Sequence, residues 1–251
     1  MRTIGEIYDI IDRIAPFEGQ LSFDNSGLLI GSREDKISGV LVCLDVTSEA
    51  IEMAKAEGCE LIVTHHPLIF SPIRSIDSRS LVYKMIANGI GLISAHTSLD
   101  AADGGVNDCL AEAIGLVSCE RTPNAEIGTT GYLAQPMSAQ QLAKLVDERL
   151  SAGGKLTTYT DGGKEISKVA VIGGAGGEEA ERLMESDCDA IVTGEVKHHQ
   201  FLMAQEYGKT IIAAGHSSTE KVVLPRLVDC ITGSCPELTV VWLSDYPVSG
   251  V

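Results

Sequence analysis

Four of the six histidines in this 251-residue chain stand directly after short apolar runs. His65 and His66 follow ELIVT (60–64), His96 follows GLISA (91–95) and His216 follows TIIAAG (210–215). Each run reads as a buried strand of an α/β fold, and in open parallel sheets ligands bind beyond the carboxyl ends of the strands. Carboxylates come with two of them. Asp100 lies four residues after His96 and Glu220 four after His216, a spacing that puts both groups of a pair on one helix face. Imidazole plus carboxylate suits zinc, manganese, iron or nickel rather than calcium. Adjacent residues on a strand point to opposite faces, so His65 and His66 share a cavity only where the chain turns, and Pro67 supports that turn. Diverging imidazoles serve two ions more naturally than one. Five side chains (His65, His66, Asp100, His216 and Glu220) are too few for two closed shells. They suit two open ones, about 3.5–4 Å apart and completed by water, the pattern of two-metal hydrolytic sites.

Several neighbours are candidates for lesser roles. His96 could orient Asp100 or take a proton. The segment TGEVKHH (193–199) follows the apolar run DAIVT and places Glu195 and His199 at i, i+4, with Lys197 and His198 between them. It reads either as a solvated helix start or as a group behind the ligands or facing a substrate. His198 is, with His96, the expected proton carrier. Asp103 has a standing similar to that of His96. Asp24 and Asn25 either approach the cavity or serve turn chemistry alone. The glycine-rich VIGGAGGEEA (171–180) fails the dinucleotide pattern, because the third glycine position is Glu179. Its two acids would also repel a pyrophosphate, and it reads as a tight strand-to-helix turn.

The elements that must position these residues alternate along the chain. Thr3 and Glu6 form a capping box for a helix carrying Ile4, Ile7, Ile11 and Ile14. FDNSGLLIGS (23–32) reads as a loop. Strands are expected at 39–45, 60–64 and 91–95, with helices from Thr47 to Gly58, over 80–88 and over 106–114. This βαβ rhythm predicts a mainly parallel or mixed sheet with flanking helices. The polar stretch SCERTPNAEIG (118–128) marks a boundary. Beyond it come a strand at TTGYLAQ, a helix at SAQQLAKLVDERL, a strand at KLTTYT (155–160) and further βαβ units ending at TIIAAG. A final helix (217–231) and the strand ELTVVWL return to the first lobe. The expected lobes are thus 1–124 with 216–251, carrying most of the ligands, and 125–215.

Whole-chain properties bound the partners. A net charge of −16, with no run of Lys or Arg, disfavours nucleic acid. No apolar run approaches the roughly 18 residues of a membrane span. The acidic, periodic N-terminal sequence is unlike a signal peptide, so the expected location is cytoplasmic. Seven cysteines without a C-x-x-C pair fit buried thiols better than disulfides or a zinc-thiolate site.

FDNSGLLIG (23–31), VTHHPLIF (63–70), SAHTSLDAADGGVND (94–108), TGEVKHH and GHSSTE (215–220) resemble, in order, the motifs of the dinuclear-metal hexamers related to GTP cyclohydrolase I type 2, the NGG-interacting-factor-three-like proteins. The resemblance spans nearly the whole chain. Matched residue by residue, the family's ligands fall on the same five side chains. It implies two interlocked α/β lobes, two divalent ions per chain, toroidal homohexamers, and a nucleotide or related heterocycle as small-molecule substrate. Phe23 stands where the family often has Trp. The leading expectation is a metal-dependent hydrolase. The alternative is a non-catalytic metal-binding, storage or scaffold protein built as a ring.

Overall fold

The computed structural model describes residues 1–123, 125–150 and 157–244. Residues 1–103 supply strands β1 (Arg2–Thr3), β2 (Gly27–Ile30), β3 (Lys36–Ile37), β4 (Gly39–Cys43), β5 (Leu61–Thr64) and β6 (Gly91–Ser94). They also supply helices α1 (Ile4–Ile14), α2 (Ser48–Ala56), α3 (Leu81–Ala87) and α4 (Thr97–Ala101). Gly104–Val223 supplies α5 (Val106–Ile114), β7 (Val117–Arg121), β8 (Thr129–Met137), α6 (Ala139–Leu150), β9 (Thr158–Thr160) and β10 (Ile166–Ile172). It continues with α7 (Gly177–Arg182), β11 (Ala190–Thr193), α8 (His198–Glu206), β12 (Thr210–Ala213) and α9 (His216–Glu220). The chain then adds α10 (Leu224–Ser234) and β13 (Thr239–Leu243). Two compact units result: residues 1–103 with the described residues from Leu224 onward, and Gly104–Val223.

The expected α/β class is observed. The first unit holds a five-stranded sheet in the order β13-β4-β5-β6-β2. β13, β4, β5 and β6 are parallel, and β2 joins the edge antiparallel to β6. Every residue of β4, β5 and β6 is buried. Leu41, Ile62 and Leu92 pack with Ile51 of α2 and Met85 of α3. The helices start where side chains can cap them. Thr3 and Glu6 close the capping box on α1, Thr47 accepts from the Ala50 amide and Ser80 from the Tyr83 amide.

The second unit holds a mixed six-stranded sheet, β7-β8-β10-β11-β12-β9, with a parallel centre of β10, β11 and β12. Its central strands are apolar on both faces because both faces are covered. Val169 and Val171 join one core cluster with Leu142 and Val146 of α6, whereas Ala170 and Ile172 join another with Ala180 and Leu183.

Four expectations need correction. FDNSGLLIGS contains a strand, since Gly27, Leu28 and Ile30 pair with β6. The polar 118–128 stretch contains most of β7, which adds to the edge of β8 although all five of its residues are exposed. The final helix is broken into α9, a 3₁₀ turn and α10. The compact units also divide at 103/104 and 223/224 rather than at 124/125 and 215/216. The reason is packing. α5 lies against β8 and β10, and α9 lies against α5, so His216 and Glu220 belong to the second unit. Asn124 and the first two residues of the expected strand KLTTYT lie outside the described residues.

Candidate metal centre

In the first unit three neighbouring parallel strands, β4, β5 and β6, end side by side; β5 passes directly into His65-His66, and Asp45 and His96 stand two residues beyond β4 and β6. Parallel neighbours lie about 4.7–4.9 Å apart, which brings rings at their ends together. The ring centroids of His65 and His66 are 4.9 Å apart, those of His65 and His96 5.2 Å, and those of His66 and His96 5.6 Å. One ligand atom from each of these three imidazoles lies within 4.8 Å of the others, and the group could hold a metal ion.

Each ring is held by its Nδ1. His65 is fully buried, with Nδ1 2.9 Å from the Ala95 carbonyl oxygen. A carbonyl only accepts, so Nδ1 carries the proton and Nε2 the lone pair. Nε2 lies 3.7 Å from Asp100 Oδ1. That is too long for a hydrogen bond, but within the roughly 4.2 Å that two metal–ligand bonds of about 2.1 Å can span. His66 places Nδ1 2.9 Å from Asp45 Oδ1, the histidine–carboxylate pairing that orients a metal ligand. His96 places Nδ1 2.8 Å from Asp24 Oδ1. Burial alone would raise the Asp24 carboxyl, but bonds from His96, Thr97 and the Asn25 amide hold it well below the usual carboxylate range. Asp100, in α4, has its amide 3.1 Å from the His96 carbonyl oxygen.

In the second unit, β12 passes through Gly215 into α9, which carries both predicted groups one turn apart. His216 Nε2 is 3.2 Å from Glu220 Oε1, and Nδ1 is 3.2 Å from Glu195 Oε1. Two glycines make room. A Cβ on Gly174 would collide with Glu220 Oε1 and lie 3.2 Å from His216 Nε2, and its φ of +63° favours glycine. A Cβ on Gly194 would lie 2.8 Å from the His216 Cα. The glycine-rich turn is therefore a cradle for α9. Its amides bind the protein itself, Gly173 to Asn107, Gly174 to Thr219 and Gly176 to Thr193, which agrees with the structural reading of that motif.

The donor set fits a divalent ion. It joins imidazoles with a fixed tautomer to carboxylates on a backbone that leaves space for them. His96, expected as a proton carrier, stands inside the imidazole group itself. His198 does not join either set of ligand candidates. It is exposed at the first residue of α8, and neighbouring His199 turns its Nε2 to Glu181 Oε1, 3.2 Å away. Asp103 is exposed. Sequence reasoning missed Asp45, although its signal was the same strand-end position that revealed the histidines. Among the described residues no helix is long and apolar enough to cross a membrane.

The sequence pattern of the Duf34/NIF3 (NGG1p interacting factor 3) family matches residues 2–246. The chain belongs to this family. Among its relatives is a "GTP cyclohydrolase 1 type 2 homolog" of Clostridium perfringens, 35% identical with 89% of each chain covered. A protein named GTP cyclohydrolase 1 type 2 in Helicobacter pylori is 29% identical with 88% of each chain covered. Of solved structures, reduced HcgD from Methanocaldococcus jannaschii superposes with a TM-score of 0.82 at 27% identity, over 97% of this chain and 98% of that one. Within the Duf34/NIF3 family, then, this chain has the α/β architecture and a group of three histidines that could hold a metal ion.

Proposed function

We propose that this protein is a metal-dependent hydrolase acting on a nucleotide or related heterocycle, in the manner that the names of its GTP cyclohydrolase relatives suggest. Two divalent ions of zinc, iron, manganese or nickel would be held by His65, His66, Asp100, His216 and Glu220. When bound, such ions supply Lewis acidity and lower the pKa of water. The observation that carries the reading is the fixed Nδ1 of His65, His66 and His216, engaged by the Ala95 carbonyl, Asp45 and Glu195. Three separate rings oriented through the same nitrogen leave the same nitrogen, Nε2, for coordination.

The chain's own residues divide the remaining work. Asp100 offers two oxygens and can bridge, whereas a neutral imidazole offers one lone pair. Asp24 fixes His96 through Nδ1, which leaves Nε2 to take or give a proton at the cluster. Assembly as a homohexameric ring in the cytoplasm completes the proposal.

The test is elemental analysis of protein purified without chelator, followed by a screen of nucleotides and phosphoesters with manganese, iron and zinc. About two equivalents per chain are expected, fewer in His66→Ala and His216→Ala, and activity in Asp100→Asn should fall by orders of magnitude. Undiminished metal in both histidine variants sinks the ligand assignment. Metal binding without turnover of any substrate favours the storage or scaffold reading.

A further inference from the structure

Two large apolar rings stand exposed at the edge of the imidazole group. Phe23 is 59% exposed and Phe70 is 47% exposed. Their centroids are 6.2 Å apart at 38°, and Phe70 meets His96 edge-on, also at 6.2 Å. A continuous row of rings thus runs from open surface through Phe23, Phe70 and His96 to His65 and His66.

Single exposed apolar side chains are ordinary. These two differ because the loops that carry them are pinned to each other and to the cluster. The Asn25 side-chain amide donates to the Ile69 carbonyl at 2.5 Å, joining the Phe23 loop to the Phe70 loop. The Leu21 amide donates to Thr97 Oγ1, and the His96 amide donates to Ser26 Oγ. Asp24, beside Phe23, receives both the His96 ring and the Thr97 hydroxyl. The aromatic faces are held where they stand, so little conformational freedom is lost when something covers them.

We propose that Phe23 and Phe70 form a stacking wall for a flat heteroaromatic ring, and so place the atoms of that ring beside the His65–His66–His96 group. This deepens the hydrolase reading and rests on it. The spacing defines how the ring binds. A ring held between two parallel faces needs them about 7 Å apart, twice an ordinary carbon–carbon contact. The Phe pair is closer and tilted, so the ligand stacks on the outer face of the wall with one edge toward the imidazoles. The surrounding chemistry selects the ligand. The two exposed phenyl faces stack on a flat π system, which a purine-like base offers and an isolated sugar phosphate lacks.

The experiment uses full-length zinc-loaded protein with guanosine and ribose 5-phosphate as probes, read by calorimetry and saturation-transfer NMR. The variants are Phe23→Leu, Phe70→Leu and the pair. Leucine keeps apolar bulk and removes the π face. Guanosine is expected to bind the wild type and to weaken by roughly tenfold or more in the pair. Zinc content should be unchanged, and ribose 5-phosphate should be insensitive to the substitutions. Equal guanosine binding by wild type and pair overturns the wall, as does failure of guanosine to bind zinc-loaded wild type at millimolar concentration. A changed solution mass in the pair with guanosine binding intact overturns it too, and assigns the rings to a subunit contact. Zinc analysis separates the two readings. Wild type that holds zinc but no guanosine fails this inference alone, whereas wild type that binds guanosine and holds no metal supports the wall and fails the hydrolase.

Discussion

In the first unit the candidate histidines come from the ends of adjacent parallel strands, whereas in the second a histidine and a carboxylate come from one turn of a five-residue helix set against glycines. The first arrangement takes its precision from sheet register. Thr64 pairs with Ser94, and one residue later His65 Nδ1 meets the Ala95 carbonyl. The second takes its precision from the absence of side chains at Gly174 and Gly194. Register tolerates changes in neighbouring side chains; a glycine cradle does not tolerate a single methyl.

The contrast is broken most severely by Gly174→Ala. The added carbon collides with Glu220, and its left-handed backbone costs about 1–2 kcal/mol. Metal affinity should fall by more than about a hundredfold, and the melting temperature by several degrees. Gly208→Ala is the control. Its φ of +62° is the same, but its nearest neighbour is 3.7 Å away, so it should lower the melting temperature and spare the metal. The same loss of metal in both would show that backbone strain, not the cradle, is responsible.

The outer partners sharpen the comparison. Asp45→Asn should weaken metal binding by roughly 10–100-fold, and Glu195→Gln by the lower part of that range. The reason is the closer contact of Asp45 with its histidine, 2.9 Å against 3.2 Å. Competition with a chromophoric chelator measures both, and equal effects would erase the distinction.

One device is common to the two units. Glu60, just before β5, accepts from the Ser38 and Gly39 amides at the start of β4. Asp189, just before β11, accepts from the Ser167 and Lys168 amides in β10. Burial would raise both carboxyls, but these bonds hold both below their ordinary values. A carboxyl lowered by folding stabilises fully above its unfolded pKa, about 4.3 for Glu and 3.9 for Asp, and loses that contribution as pH falls through the folded value. Glu60→Gln and Asp189→Asn should each cost about 1–3 kcal/mol at neutral pH. Urea titrations should show that gap closing below about pH 4. A gap that is constant with pH would remove the carboxylates as its cause. The smallest effect is expected from His198→Ala, which should leave metal content unchanged.

The ligand positions were legible because four histidines end uninterrupted apolar runs, a pattern that needs no tertiary information. Helix starts at Thr3, Thr47 and Ser80 were legible for the same local reason. β2 was not, since turn formers crowd both sides of four residues that gain strand structure only by pairing with β6. β7 has no apolar alternation to read. Asp45 escaped because a lone acid at a strand end has no imidazole four residues away. The glycine cradle escaped because a close approach between Gly174 and α9 joins residues more than forty positions apart.

The pairing of β13 with β4 sets a condition on biosynthesis. Thr239 pairs with Gly39, so the border strand of the first sheet is made 200 residues after the strand it covers. The described residues of the second unit all precede Leu224 and can fold as they emerge. The fully buried β4 must meanwhile wait with one edge open, and open apolar edges recruit strands from other chains. A ribosome stalled between Val223 and Thr239 would release a chain with a finished second unit and an adhesive first one. Such a nascent chain needs a chaperone more than the finished protein does.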